Sequence, residues 1–560
     1  MLDTLRRPAV IALALVSPLL LSCASDGPAA PRNPIAIGCS TPTPVTLEAL
    51  RGIAVSFPAS CARVENAGRY LAVPQYAVQE ATPTFTPFTL ISGAPAAAMI
   101  ASAGESPAAS VGSSTRGTMT IGSAFDARLR RLEGELARQS TPLARNLALS
   151  RAATEANVVA ADSVRTFNVL ASLEGNSLVT TTARLKYEGP RVLIYEDVGV
   201  EYHYTAAEFA ALGKLFDEVL YPIDTAAFGS PSDIDGNGHI TVLMSQRINQ
   251  LTKAADCPTK GFVAGYFYGL DLLPDRQGSN RGEVFYTIAP DSVAKFSCAH
   301  TKAYLNRNMP ATFIHEFQHM ISFNQHVLIR NGNSEIAWLN EGLSHIAEEL
   351  GSKYYEAKYP PPSGRASPSQ LFPDSAQGFG PPQFANAYNY LLDPTKHSVT
   401  TFEGLGTLEE RGAAWLFLRW LADQKGEGIF KQLVQTSRRG VDNVAAVAGE
   451  PFAALFGDFG IATYTDSIDG VPRTSIPTRY RFTSRNTRQI FARLYPIKPN
   501  PITPTPLGCG ASANATMVQA TQAYFIVGGT TGCVAQTRVE FAPAKTGGSL
   551  APQLGLFRLP

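Results

Sequence analysis

Pro310-Ala311-Thr312-Phe313-Ile314-His315-Glu316-Phe317-Gln318-His319-Met320-Ile321-Ser322-Phe323-Asn324 holds two of only 8 histidines in a chain of 560 residues. Phe313, Ile314, Phe317, Met320 and Ile321 recur at spacings of three and four, and Pro310 suits a first helical position, which predicts a half-buried helix over 310–324. On that helix His315 and His319 share one side with Cβ atoms about 5–6 Å apart, so both imidazoles reach one metal. Glu316 is rotated by about 100° from His315, beside the metal rather than bonded to it. A base that takes a proton from metal-bound water belongs there. The plain alternative, polar decoration of an amphipathic helix, accounts for any one of these three residues but poorly for all of them together.

A second helix is predicted over 335–350. Asn333 and Ser334 are N-cap candidates, Ile336, Leu339, Leu343, Ile346 and Leu350 form an apolar stripe, and Gly351 suits the position after the last turn. Glu341, His345 and Glu348 fall together on another face. A catalytic zinc site takes three protein ligands and leaves the fourth position to water, so Glu341 is nominated to join the two histidines. His345 stays open as the alternative third ligand, because a three-histidine site is chemically sound, or as an outer partner of the ligands. The metzincin pattern would need glycine at 322 and histidine at 325, where the chain has Ser322 and Gln325. His326 comes one residue late, about 100° around the helix, and reads as a surface histidine.

His315-Glu316-Phe317-Gln318-His319 with Trp338-Leu339-Asn340-Glu341-Gly342-Leu343 resembles the gluzincin metallopeptidases, and most of all the hyicolysin-type secreted neutral metallopeptidases; the likeness covers about residues 190–465. The resemblance implies a zincin catalytic domain with a strand-rich N-terminal half and a helical C-terminal half. It also implies zinc held by His315, His319 and Glu341, with Glu316 as the catalytic base of peptide-bond hydrolysis. Zinc lowers the pKa of bound water to about 7 and polarises the scissile carbonyl, while Glu316 passes the water proton to the leaving amine. A further oxyanion donor is sought in the stretch Asn386-Ala387-Tyr388-Asn389-Tyr390 or in Arg411, although packing roles compete for each. One departure stands out: thermolysin-like gluzincins carry an aspartate four residues after the ligand glutamate to orient a histidine, and this chain has His345 there. The Gly-x-Met-Glu-Asn segment of zinc aminopeptidases is absent, which favours an endopeptidase acting on protein or peptide substrates. The competing class is a surface adhesion or binding lipoprotein whose zincin domain is inactive. Against it stands Glu316, which the chemistry needs and folding does not.

The amino terminus says where such a site would work. Arg6 and Arg7 precede the apolar run Ala9 to Leu21, long enough for a signal sequence and short of the roughly 20 residues of a membrane-spanning helix. Leu20-Leu21-Ser22-Cys23 resembles a bacterial lipobox, in which Cys23 carries the lipid that anchors the mature protein to a membrane. Ala24 rather than aspartate follows, which points to the outer membrane; an ordinary secretory signal is the alternative. Six further cysteines remain, an even number expected in an oxidising compartment. They fall into local couples, Cys39 with Cys61, Cys257 with Cys298 and Cys509 with Cys533, the sequential pairing among the 15 connectivities that six cysteines allow.

The expected organisation is a multidomain α+β chain: a signal peptide over 1–22, a Pro/Ala-rich tether over 23–45 and a small β domain over 46–124. A helical and β linker, or a propeptide-like region, follows over 125–189, then the zincin domain over 190–470 and a C-terminal β domain over 471–560. With a net charge of +1, 17% charged residues and no basic cluster, nucleic acid is excluded as a principal partner, and no obligate protein partner is evident. Asp233-Ile234-Asp235-Gly236-Asn237-Gly238 matches the first half of a calcium loop, with Asp233, Asp235 and Asn237 at the first, third and fifth positions and glycine at the sixth. Position 12 is Met244, which excludes an EF-hand, and a tight Asp/Asn/Gly turn is the alternative to calcium.

Overall fold

Val192 to Tyr195 is a continuous apolar run and Ile240 to Met244 is one broken only by Thr241, the pattern of strands covered on both faces, and they lie at the centre of a mixed sheet. The computed structural model of the protein describes residues 43–56, 61–64, 68–77, 86–92, 120–139, 163–360, 372–400, 406–508, 510–528, 537–543 and 552–560. The expected signal segment, the lipidation site Cys23, most of the tether, and Cys39, Cys509 and Cys533 with their two bridges lie outside the described residues.

The chain runs through β1 (Thr43–Val45), β2 (Gly52–Ser56), β3 (Cys61–Val64), β4 (Arg69–Tyr76), β5 (Thr86–Ser92) and helix α1 (Ile121–Gln139). It continues through β6 (Val164–Leu170), β7 (Leu178–Glu188), β8 (Val192–Asp197), α2 (Ala206–Leu215) and α3 (Tyr221–Phe228). Next come β9 (Ile240–Met244), β10 (Gly265–Phe267), β11 (Val284–Thr287), α4 (Lys302–Phe323) and α5 (Ala337–Lys358). The last part holds α6 (Gly380–Leu392), α7 (Leu408–Lys425), α8 (Gly440–Ala448), α9 (Phe452–Thr465), β12 (Thr505–Leu507), β13 (Ser512–Met517), β14 (Phe525–Gly528), β15 (Thr537–Pro543) and β16 (Pro552–Arg558).

The central sheet has the order β10-β11-β9-β8-β7-β6; β8, β9 and β11 are mutually parallel, and β10 is an antiparallel edge. It therefore includes β6 and β7, which lie upstream of residue 190, the expected start of the catalytic region. Helix α4 packs on β10 and β11 and against α5, and α5 packs in turn on α7.

The flanking β segments require a correction. They do not form two separate units: β1-β3-β15-β5-β13 and β12-β14-β4-β16-β2 are two five-stranded sheets, each built from both ends of the chain. The two sheets share an apolar core that includes Val64, Phe88, Leu90, Phe525 and Leu554, with Phe88 edge-on to Phe525. A single apolar sheet face from either segment has no second layer to cover it, and pairing the two segments supplies one.

Three local expectations also change. Helix α4 begins at Lys302 because Thr301 caps it, its Oγ1 accepting the Tyr304 N–H at 3.2 Å, so Pro310 lies inside the helix rather than at its start. Beyond Phe323 the chain continues as a π-helical turn, Asn324–Ile329, whose wider winding turns His326 inward. His326 is fully buried, not a surface residue. Helix α5 begins after Ile336, which offers no side-chain cap; Glu335 Oε1 instead accepts the Ile336 and Gly440 N–H groups at 2.6 and 2.7 Å. Gly351 does not end that helix. A Cβ there would lie 2.8 Å from Phe379 Cδ1, so glycine is the residue that lets Phe379 pack onto the continuing helix.

Candidate metal centre

The period of α4 puts His315 and His319 toward α5, their rings 4.8 Å apart, and the facing turn of α5 presents Glu341. His315 Nε2 is 3.5 Å from Glu341 Oε2, and His319 Nε2 is 3.6 Å from Glu341 Oε1. One ligand atom from each of the three lies within 4.8 Å of the others, and all three residues are buried. Glu341 Oε1 is itself buried without a hydrogen-bond donor. Two imidazole nitrogens and a carboxylate oxygen facing one point are the donor set of a catalytic zinc site, and the residues fit that ion.

The other ring nitrogen of each histidine is occupied. His315 Nδ1 donates to Glu348 Oε1 at 2.7 Å, and His319 Nδ1 donates to Asn340 Oδ1 at 3.0 Å. Acceptors at Nδ1 orient the two rings so that both Nε2 atoms face Glu341. Glu348, two turns after Glu341, also lies 2.9 Å from His345 Nδ1 and accepts the Gln383 amide at 2.6 Å. His315, His345 and Glu348 form a second group whose ligand atoms lie within 4.8 Å of one another, while Glu341 is the residue that faces the Nε2 atoms of both His315 and His319. The carboxylate that meets His315 Nδ1 is thus Glu348 rather than a residue four after Glu341, where His345 stands.

Glu316 points to the sheet edge, where its Oε2 accepts the Phe267 N–H of β10 at 2.7 Å. Burial pushes its carboxyl up to about 8, against the pull of the neighbouring His315. Burial also raises Glu341 and Glu348, but cations outweigh it: Arg411 and the two histidines hold Glu341 well below the usual range, and His345 and His315 lower Glu348 to about 2. Arg411 Nη1 lies 2.9 Å from Glu341 Oε2, while its Nη2 meets Asp126 Oδ2 of α1 at 3.0 Å. Arg411 reaches the centre because Gly342 lets α7 approach; a Cβ at 342 would lie 2.8 Å from Leu418 Cδ1 and 3.3 Å from Ala414 Cβ. The aromatic candidates turn elsewhere. Tyr388 donates to Lys498 O and stacks on Tyr495, and the Tyr390 hydroxyl accepts from Gln522.

Helix α1 covers the same edge. Arg130 Nη2 donates to Phe267 O at 2.7 Å, Glu133 Oε1 accepts the Gly269 N–H at 2.8 Å, and Gly122, Ser123 and Asp126 line a cavity of about 260 Å³ with His315, Glu316 and Arg411. Asp126 and Arg130 carry no motif and lie far from the histidines in the chain. Only the shared face of Glu341 and Glu348 offered a sequence signal for the second of them.

Of the remaining nominated residues, Asp233 and Asp235 lie in the loop before β9; Asn237 Oδ1 accepts its own chain's His239 N–H at 2.6 Å. Cys257 and Cys298 are joined in a disulfide with Cα atoms 5.6 Å apart, just ahead of α4.

No protein-family model matches the chain. Over 190 residues it is 28% identical to the neutral metalloprotease ShpI of Staphylococcus hyicus, a stretch that makes up 33% of this chain and 40% of that protein. The chain thus spans 40% of its relative's length, and the likeness is to a metallopeptidase.

Proposed function

We propose that the protein is a zinc-dependent endopeptidase working outside the cytoplasm, with His315, His319 and Glu341 as ligands and Glu316 as general base. The observation that carries this reading is the convergence of both Nε2 atoms on the Glu341 carboxylate with Glu316 alongside. When bound, zinc supplies a Lewis acid for the scissile carbonyl and acidifies the attacking water. Glu316 takes a proton from that water and delivers it to the leaving amine; the Phe267 N–H fixes its carboxylate meanwhile. Glu348 and Asn340 hold the imidazoles in one tautomer. Arg411 orients Glu341. The Cys257–Cys298 bridge supports an oxidising compartment, in keeping with a secreted or Cys23-anchored protein.

Helix α1 lines the same cavity as His315, Glu316 and Arg411, so its influence on substrate access is part of the test. The test is zinc analysis with a casein or gelatin assay of the wild type and Glu316→Gln, before and after limited N-terminal proteolysis. The variant is expected to keep its zinc and lose at least about 10²-fold in activity. A zinc-loaded wild type that cleaves nothing in either state would instead favour the inactive adhesion or binding lipoprotein.

A further inference from the structure

We propose a calcium site formed by Asp233, Asp235 and Glu283, separate from the zinc reading and independent of it. The loop starting at Asp233 carries oxygen side chains where a calcium loop needs them, but its twelfth position is Met244, a buried residue of β9. The carboxylate absent from that position arrives from the neighbouring strand. β11 pairs in parallel with β9, Val284 opposite Thr241, and the Thr241 N–H donates to Glu283 O at 2.7 Å, which sets Glu283 beside the loop. One oxygen from each of Asp233, Asp235 and Glu283 lies within 4.8 Å of the others.

An acidic cluster alone would mean little, since such clusters occur in ordinary turns. The second observation is Glu283 itself, which is 1% exposed. Its Oε1 takes the Ile234 N–H at 2.9 Å, while its Oε2 is buried with no full hydrogen bond, the Ser232 hydroxyl being the one side-chain donor near the carboxylate among the described residues. A buried carboxylate oxygen next to two further carboxylates is unfavourable unless a cation compensates it or a proton neutralises it. Among the described residues no Lys or Arg forms an ion pair with these three carboxylates. Arg165, whose charge reaches Asp235, gives its Nη2 hydrogen to Asn280 O at 2.7 Å.

The donors are all hard oxygens, which argues against zinc or copper and for calcium or magnesium. Calcium is favoured because three carboxylates from a loop and a strand suit its irregular coordination, whereas magnesium keeps its waters and near-octahedral angles. Bound there, the ion would tie the loop after α3 to the start of β11.

The experiment uses the full chain, stripped of metal and given back one equivalent of zinc, then titrated with calcium chloride alone by calorimetry and thermal melting. Calcium is taken to about 10 mM, above the roughly 10⁻⁴–10⁻³ M dissociation constants of extracellular calcium modules. One saturable site and a rising Tm are expected. Glu283→Gln and the exposed-position variant Asp233→Asn should each bind calcium at least tenfold more weakly, while Glu341→Gln keeps the wild-type response. An unchanged wild-type Tm, variants that bind like wild type, loss of the response in Glu341→Gln, or an equal rise with magnesium would each overturn the assignment.

Discussion

Glu348 holds His315 and His345 with one carboxylate, and its removal tests orientation of the proposed ligand His315 apart from the proposed chemistry. Replacing it with Ala frees His315 Nδ1 and lets the ring rotate or change tautomer. Zinc affinity measured against a chromogenic chelator is expected to fall about 10–100-fold, with Glu348→Gln recovering part of the loss because its amide oxygen still accepts from His315. Unchanged affinity in both variants would remove Glu348 from the centre. His326 makes a prediction of a different kind. Burial, with the Arg330 and Arg439 charges, lowers its pKa to about 3 from an ordinary 6.5. Between those values the unfolded chain binds a proton that the folded one refuses, so stability present above pH 6.5 is lost as the pH falls toward 3. From pH 6.5 to 5 the loss is about 2 kcal/mol. Urea unfolding at pH 7 and 5 should show a smaller pH-dependent loss for His326→Leu than for wild type, and equal slopes would contradict the account.

The contact between α5 and α7 rests on the bare backbone of Gly342. A methyl group there, 2.8 Å from Leu418 Cδ1, forces the helices apart or the leucine off its rotamer, a cost of about 1–3 kcal/mol. Gly342→Ala is therefore expected to lower the unfolding free energy from urea titration by that amount; an unchanged free energy would show that Leu418 gives way freely. The start of α5 shows why helix ends are less legible in a sequence than helix faces. Asn333 and Ser334 have the chemistry of caps, but Glu335 makes the contact and also takes the Asn443 amide of α8 at 2.8 Å. That second partner decides which residue faces inward, and it lies outside any local window. Helix α4 likewise shows its face in its periodicity but not its start, since Thr301 offers the same kind of cap as many loop threonines.

The sandwich and the helical half meet through buried glutamines. Gln75 donates to Phe456 O of α9 at 3.1 Å and to Gln522 at 3.0 Å, and Gln553 donates to Gln75 and to Ala453 O, both at 2.8 Å. Gly460 opens the space: a Cβ there would lie 2.0 Å from Gln75 Nε2. Gln75→Leu leaves partners in both layers unsatisfied, at about 1–3 kcal/mol for each buried group. Calorimetry should show a lower Tm, with the sandwich and the helical half moving together. Retention of the wild-type Tm would mean that the two parts are joined by apolar packing alone.

Local periodicity was enough to place His315, Glu316 and His319 on one helix and Glu341 on the next, because a 3.6-residue repeat fixes which side chains share a face. The same repeat grouped Glu341, His345 and Glu348 but did not assign their roles, since those depend on how α4 and α5 cross. The pairing of β5 with β13 and β4 with β16, the approach of α1 to β10, and the placing of Glu283 beside Asp233 leave no trace in any short window. Each joins segments far apart in the chain, and their selection depends on burying apolar faces and satisfying buried polar groups across the whole fold. The metal-binding residue types could be read in order; which oxygen faces which nitrogen was settled by packing.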